Sequence, residues 1–272
     1  MIYLQSLAAV LAVMIVLWLI SLVRRDVSIV DAFWGPGFLL AAGVAHLEGT
    51  GYAPRGWLLL ALVAVWSLRL GIYLLWRNLD HGEEDYRYRK MRDHWGKSFP
   101  LVSLGTIFLF QGVLLWFISL TLQVAVLSDT PQRLTWLDAL GVLLWLVGFV
   151  FESVGDWQLS RFKADPSNQG KVLDSGLWRY TRHPNYFGDF MVWWGYFCIA
   201  LATPQGWMTV LSPLVMSIFL LKVSGVALLE KKLSKTRPKY RDYVERTNAF
   251  FPGPPKKSTA QSSPESPSDD AA

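Results

Sequence analysis

The chain has 272 residues, of which 52% are hydrophobic, and its formal net charge is +5. Its 14 tryptophans are unusual for a soluble domain, whereas tryptophan is enriched where membrane helices meet water. Composition therefore excludes an ordinary soluble enzyme. The positive charge accompanies long apolar runs, so it predicts attraction to lipid headgroups rather than nucleic-acid binding.

Seven apolar segments approach the roughly 20 residues that a helix needs to cross a bilayer. They cover residues 1–23, 27–47, 57–76, 101–127, 134–151, 187–202 and 206–229. The second span contains Asp31 and Pro36, and the sixth is short and carries Asp189 near its start. The pattern predicts an all-α polytopic membrane protein with about seven transmembrane helices.

Positive charge is concentrated on one side of this predicted topology. All but four of the 26 lysines and arginines fall after the first, third, fifth and seventh spans. Because positively charged loops stay in the cytoplasm, the N-terminus is expected outside and the C-terminus in the cytoplasm, in a bacterial inner membrane. The first span is expected to be retained, since its basic residues follow the apolar run instead of preceding it.

Three long polar segments lie on the predicted cytoplasmic side, at residues 77–100, 152–186 and 230–255. Together they predict a cap that holds a cofactor over the membrane helices. Residues 1–255 are expected to form a single membrane domain, and residues 256–272, rich in Ser, Pro and Asp, a disordered tail. The single cysteine excludes an intrachain disulfide, and the scattered histidines predict no metal site.

The strongest chemical signal lies between Gly176 and Asp189, directly before an apolar segment. Pro184 suits the first turn of a helix, where the missing N–H costs nothing. A helix N-terminus favours anions, so this corner predicts phosphate binding. The candidate residues are Arg179, Arg182, His183, Asn185, Tyr186 and Asp189. The alternative interpretation is a positively charged helix flank with one capping residue.

A second polar group follows the fifth span. Glu152 and Asp156 are four residues apart on one helix face, and Lys163 lies two turns beyond Asp156. Carboxylates at a membrane exit can accept hydrogen bonds from sugar hydroxyls or from an amide. The alternative is a solvated helix end.

Asp156, Gly176-Leu-Trp and the run Asn185-Tyr-Phe-Gly-Asp189 resemble the C-terminal domain of the steroid 5α-reductase family, over about residues 100–255. The resemblance implies that NADPH is the cofactor. It implies reduction of a carbon–carbon double bond in an apolar enone, a steroid-, sterol- or isoprenoid-like lipid. It also implies that Asp156 and Asn185 contact the cofactor.

Three positions depart from the family pattern. Asp189 stands where Glu is usual, Lys163 where Arg is usual, and Glu152 where the steroid enzymes have Asn. The full set predicted to bind the cofactor is Glu152, Asp156, Lys163, Arg179, Arg182, His183, Asn185, Tyr186, Asp189 and Tyr240. Membrane lipids and a lipid-like substrate are the expected partners, with no protein partner indicated.

A second resemblance competes with the first. Arg182-His-Pro184, Tyr186 with Gly188, Glu230, and Tyr240 with Tyr243 and Pro252 are similar to isoprenylcysteine carboxyl methyltransferases. These belong to the same superfamily and bind S-adenosylmethionine. Asp156, Asn185 and Asp189 favour the reductase, because the methyltransferases generally lack that trio.

Enone reduction also needs a group that polarises the carbonyl. The candidates in the N-terminal half are Asp31, Arg69, Tyr73, Arg77 and Gln111. Arg69, Tyr73 and Arg77 are spaced four apart and share a helix face, so Tyr73 is predicted as the donor with Arg69 nearby. Asp31 is the next candidate, and a nearby arginine, Arg69 or Arg25, is its expected partner. The alternative is that Tyr73 and Arg77 anchor the helix at the interface.

Overall fold

The structure, a computed structural model, describes residues 1–81, 84–223, 230 and 240–256. Every regular element within these ranges is helical, which confirms the all-α class. The α-helices are α1 Ile2–Arg24, α2 Ile29–Glu48, α3 Ala53–His81, α4 Tyr86–Trp95, α5 Phe99–Ser103, α6 Phe110–Ile118, α7 Leu120–Leu127, α8 Trp136–Ala164, α9 Pro184–Leu201, α10 Leu211–Ile218 and α11 Tyr240–Arg246.

Five helical stretches are long and apolar enough to cross a membrane, which confirms the membrane class. They are Ile2–Arg24, Ile29–Glu48, Ala53–Leu79, Tyr86–Ile118 and Trp136–Ala164. The fourth joins α4, α5 and α6 through a 3-10 turn and a π-helical segment. The sixth predicted span corresponds to α9 and the seventh to the shorter apolar Gly206–Lys222. The count of seven therefore stays a prediction.

The contacts between residues group the chain into two compact units. Unit 1 comprises Met1–Leu146 and Met191–Ser217, and unit 2 comprises Val147–Phe190 and Ile218–Ala272. Helix α8 and helix α9 are each divided between the two units. The single domain predicted for residues 1–255 stays a prediction. The predicted tail lies outside the described residues from position 257 onward.

In unit 1, glycines let α2 and α3 approach closely. A Cβ added to Gly35 would lie 2.7 Å from the Ser67 carbonyl oxygen, and one added to Gly71 would lie 3.0 Å from the Ala32 carbonyl oxygen. Small residues at helix contacts are typical of membrane bundles, where close backbone packing replaces the hydrophobic driving force. The pairing fixes the α2 segment that carries Asp31.

Unit 1 also contains a buried ion pair between α3 and the start of α8. The Arg55 Nε donates to Asp138 Oδ1 over 2.8 Å, and the two side chains are 0% and 2% exposed. Arg55 Nη2 donates to the Arg133 carbonyl, and Asp138 Oδ2 accepts from the amide of Thr135. Such a pair tolerates burial because the remaining polar atoms are also hydrogen-bonded.

Candidate functional site

The first candidate site lies in unit 2, where α8 and α9 cross at glycines. A Cβ on Gly188 would overlap the backbone nitrogen of Glu152 and would lie 2.5 Å from the Gly148 carbonyl oxygen. A Cβ on Gly155 would lie 3.1 Å from the Asn185 nitrogen. The two backbones therefore touch, and polar side chains beside the glycines are brought together.

Asp156 and Asn185 meet at this crossing. The Asn185 Nδ2 donates to Asp156 Oδ1 over 3.0 Å. Asp156 and Glu152 are only 6% and 4% exposed. Asp189 lies one turn after Asn185 on α9 and is half-buried. The structure thus brings together two acids of α8 with the amide and acid predicted on α9.

Helix α9 begins at Pro184, as expected from the suitability of proline for a first turn, and three residues before the predicted start of the sixth span. The residue before it is fixed by Thr181, whose hydroxyl oxygen accepts from the His183 amide over 3.3 Å. Pro184 therefore occupies the first helical turn, as its ring favours.

Arg182 and His183 do not extend freely beside this helix end. Glu230 Oε1 accepts from the Arg182 Nε over 2.8 Å and lies 3.0 Å from the His183 Nε2. Arg182 Nη1 also donates to the carbonyls of Val244 and Thr247. The corner predicted to bind phosphate is therefore already neutralised by an acid of the same chain. The roles of Arg182 and His183 toward a cofactor stay predictions.

The charge of Glu230 has a measurable consequence for stability. Burial would raise the pKa of Glu230, but the hydrogen bond with His183 and the charge of Arg182 outweigh it and leave that pKa below its usual value. A group whose pKa is lowered by folding stabilises the folded state above its unfolded pKa and loses that contribution as pH falls.

Unit 2 is therefore expected to lose stability on acidification below a pH of about 4.5, the ordinary value for glutamate. Hydrogen exchange of the amides in residues 244–248 as a function of pH measures this. Glu230→Gln should flatten the acid limb. Glu245→Gln, at an exposed acid paired with Arg241, is the matched control and should leave it unchanged. An acid limb identical in wild type and Glu230→Gln would contradict the assignment.

Residues 240–256 form a strap across the segment that leads into α9. The Tyr243 hydroxyl donates to the Trp178 carbonyl over 2.5 Å, and the Thr181 hydroxyl donates to the Phe250 carbonyl over 2.7 Å. Tyr240 is 2% exposed, and burial raises its pKa to about 12. Tyr240 is thus a neutral, buried member of the predicted set.

The remaining cofactor candidates are more peripheral. Lys163 and Arg179 are exposed, and the Tyr186 ring lies 5.8 Å from the His183 ring. Exposed cations are better placed to contact a phosphorylated ligand than a buried apolar ligand. Their roles stay predictions.

A second polar cluster, in unit 1, surrounds Asp31. The Tyr88 hydroxyl donates to Asp31 Oδ1 over 2.7 Å, and the Arg87 Nη2 donates to Asp31 Oδ2 over 3.2 Å. Gln111 Nε2 lies 3.4 Å from the Tyr88 hydroxyl oxygen. Tyr88 is 7% exposed. A buried phenol is thereby held on a carboxylate inside a candidate membrane span.

The expectation that Asp31 pairs with Arg69 or Arg25 is corrected by these contacts. Arg25 ends α1 in the left-handed conformation, with φ 55°, and its carbonyl accepts from Arg92. The start of α4 docks on residues 26–28 and delivers its own arginine and tyrosine to Asp31. Arg69 and the predicted donor Tyr73 lie half-buried on α3.

Sequence reasoning missed Tyr88 because it falls in a polar segment that predicts an interfacial helix. One signal was available. An acid inside an apolar span needs a polar partner, and tyrosine and arginine alternate over residues 86–89.

An all-helical architecture with five helical stretches of membrane length is that of an integral membrane protein. The chain belongs to the family described as a protein of unknown function (DUF1295), which matches residues 17–247.

Curated relatives extend this picture. An uncharacterised protein of Schizosaccharomyces pombe is 28% identical over 266 residues, covering 87% of this chain and 76% of the relative. The 3-oxo-5-alpha-steroid 4-dehydrogenase 1 of Bos taurus is 35% identical over 81 residues, covering 30% of this chain and 29% of that protein. A probable O-methyltransferase of Ustilaginoidea virens is 40% identical over 55 residues, covering 20% and 19%. No solved structure matches significantly.

Proposed function

We propose that the protein is a membrane-embedded, NADPH-dependent reductase of a carbon–carbon double bond conjugated to a carbonyl in an apolar lipid. The observation that carries the proposal is the hydrogen bond from Asn185 to the buried Asp156. These two residues are the ones that the resemblance to steroid 5α-reductases assigns to the cofactor. The partial similarity to the bovine steroid dehydrogenase supports the same class.

The polar groups of unit 2 fit such a cofactor chemically. Carboxylates only accept hydrogen bonds, and the ribose hydroxyls and carboxamide of NADPH are donors. The Ser153 Oγ is buried without a hydrogen-bond partner among the described residues, so the region retains an unmet polar atom. When bound, NADPH would supply the hydride for the double bond.

In this proposal the chain divides the contacts by chemistry. Glu152, Asp156, Asn185 and Asp189 would hold hydroxyl and amide donors of the cofactor. The basic side chains would contact the phosphates of the cofactor, and two tyrosines would pack beside those phosphates. These groups are Lys163, Arg179, Arg182, His183, Tyr186 and Tyr240. Arg182 and His183 would exchange part of their contact with Glu230 for the phosphate.

Unit 1 would polarise the substrate carbonyl. Reduction of an enone places negative charge on the carbonyl oxygen, so a hydrogen-bond donor there lowers the barrier. We assign this role to Tyr88, because its hydroxyl is buried and held on Asp31. The hydroxyl can rotate from the carboxylate to an incoming oxygen. Tyr73 with Arg69 remains the second candidate.

An S-adenosylmethionine-dependent membrane methyltransferase is the second candidate function. The cluster of Arg182, His183 and Glu230 favours it, because it offers both charges to a ligand that carries a carboxylate and an ammonium group. The partial similarity to the probable O-methyltransferase agrees with this alternative. The reductase is preferred because the acceptor-rich pair on α8 and α9 has no counterpart in the methyltransferase pattern.

The proposal includes a setting in the bacterial inner membrane, with the C-terminus in the cytoplasm, where NADPH is available. The lipid substrate would enter sideways from the bilayer. The orientation is supported by the distribution of lysine and arginine, and the membrane setting by the five apolar helices.

Asn185→Ala is expected to weaken NADPH binding by about 1–3 kcal/mol, because it removes the amide that donates to the buried Asp156 and that is assigned to the cofactor. Isothermal titration of the purified protein in micelles measures the change. Asn168→Ala is the matched control, since that amide also donates within unit 2, to the Phe162 carbonyl. Equal NADPH affinity in wild type and Asn185→Ala would contradict the assigned contact.

A further inference from the structure

The N-terminal turn of α4 delivers two adjacent side chains to one carboxylate. Tyr88 donates to Asp31 Oδ1 and Arg87 donates to Asp31 Oδ2, so each oxygen has its own partner. The Arg87 guanidinium also lies 5.3 Å from the centre of the Tyr88 ring. Arg87 is 41% exposed, whereas Tyr88 is buried, so the arginine forms the outer side of the cluster.

Arg87 is itself held in place by the residue that caps α4. Asp85 Oδ1 accepts from the Arg87 amide over 2.9 Å and from its Nε over 3.0 Å. Burial would raise the pKa of Asp85, but the hydrogen bonds from Arg87 outweigh it and keep that pKa below its usual value. Asp85 is therefore a charged anchor for the guanidinium.

Hydrogen bonds also attach this capping turn to the loop before α2. The Asp85 amide donates to the Ser28 hydroxyl over 2.8 Å, and the Val27 amide donates to Glu84 Oε1 over 3.0 Å. Arg92 closes the same turn by donating to Glu84 over 2.7 Å. The position of Arg87 relative to Asp31 is thus set by hydrogen bonds on both sides of it.

We propose that Arg87 is a positioning residue that keeps Asp31 an ionised acceptor and so fixes the direction of the Tyr88 hydrogen bond. A carboxylate in an apolar span holds its charge only beside a compensating cation. Asp85 and, on α3, Arg77 also act on the charge of Asp31, with opposite signs. When Arg87 is removed, Asp31 would take up a proton and donate to the phenol oxygen, and the hydrogen bond would reverse. With Arg87, Asp31 stays an ionised acceptor and the phenol remains the donor.

The relevance of this geometry to turnover rests on the proposed reductase function, but the geometry can be tested without substrate or cofactor. The probe is 3-fluorotyrosine incorporated at position 88 of the full chain, observed by fluorine NMR. Its resonance reports the hydrogen bond of the phenol. Arg87→Met is expected to move the resonance, and Arg87→Lys, which restores a positive charge, should recover most of the wild-type position.

Two controls separate this role from a general structural one. Lys90→Met, at an exposed cation of the same helix, should leave the resonance in place. In an Asp31→Asn background, Arg87→Met should produce no further movement, because the arginine acts through that carboxylate. An unmoved resonance in Arg87→Met, or an equal movement in the Asp31→Asn background, would overturn the proposal.

A kinetic measurement connects the geometry to the reaction. Arg87→Met should lower kcat at least tenfold with little change in KM, and it should add no loss to Tyr88→Phe. An additive loss would overturn the positioning role. If the protein proves not to bind NADPH while the fluorine resonance behaves as expected, the reductase function fails and the positioning of Tyr88 by Arg87 stands.

Discussion

Tyr88→Phe is expected to slow double-bond reduction by a factor on the order of 10²–10⁴, the usual effect of removing a positioned proton donor. The substitution keeps the buried ring and removes only the hydroxyl that contacts Asp31. NADPH affinity should stay at the wild-type value, because the assigned cofactor contacts belong to unit 2. Initial rates of NADPH oxidation with an apolar enone such as 4-cholesten-3-one measure the effect.

Tyr73→Phe is the matched comparison, since it removes the same group from the other candidate tyrosine of unit 1. We expect Tyr73→Phe to slow double-bond reduction far less than Tyr88→Phe does. The opposite order would return the donor role to Tyr73 and Arg69. It would leave the contact between Tyr88 and Asp31 as a packing feature only.

Asp138→Asn is expected to destabilise the folded protein by about 3–5 kcal/mol, because it leaves the buried guanidinium of Arg55 without its counter-charge. Unfolding in mixed micelles, followed by circular dichroism during titration with SDS, measures the change. The loss should appear in stability and not in cofactor affinity, since the pair belongs to unit 1.

The double variant Arg55→Met with Asp138→Leu should recover most of that loss, since replacing both charges with apolar side chains removes the unpaired charge. Asp129→Asn, in the loop that precedes α8, is the control and should change stability little. A loss below about 1 kcal/mol for Asp138→Asn, the range of exposed pairs, would show that the guanidinium finds other partners or water.

Local features of unit 2 were predictable because they depend on short-range rules. Pro184 marks the start of α9 since its φ and missing N–H suit the first turn. The spacing of Glu152 with Asp156 placed both acids on one face of α8, where the structure finds them buried. Their contact with α9 follows from glycines at 155 and 188, whose role the sequence does not reveal.

Partners distant in the chain could not be predicted in the same way. Charge counting predicted that Arg182 is a cytoplasmic cation but could not show that Glu230, 48 positions away, pairs with it. The position of Asp31 in an apolar span predicts a polar partner. The sequence offers several basic residues that could be that partner and does not distinguish between them. Only the docking of α4 on the loop at 26–28 selects Arg87 and Tyr88.

The direct test of the reductase account is cofactor binding by the purified wild-type protein. Isothermal titration in micelles with NADPH and, separately, with S-adenosylmethionine distinguishes the two candidate functions. The account predicts saturable NADPH binding that Asn185→Ala weakens, with no binding of S-adenosylmethionine. Saturable binding of S-adenosylmethionine, with no binding of NADPH, would contradict it.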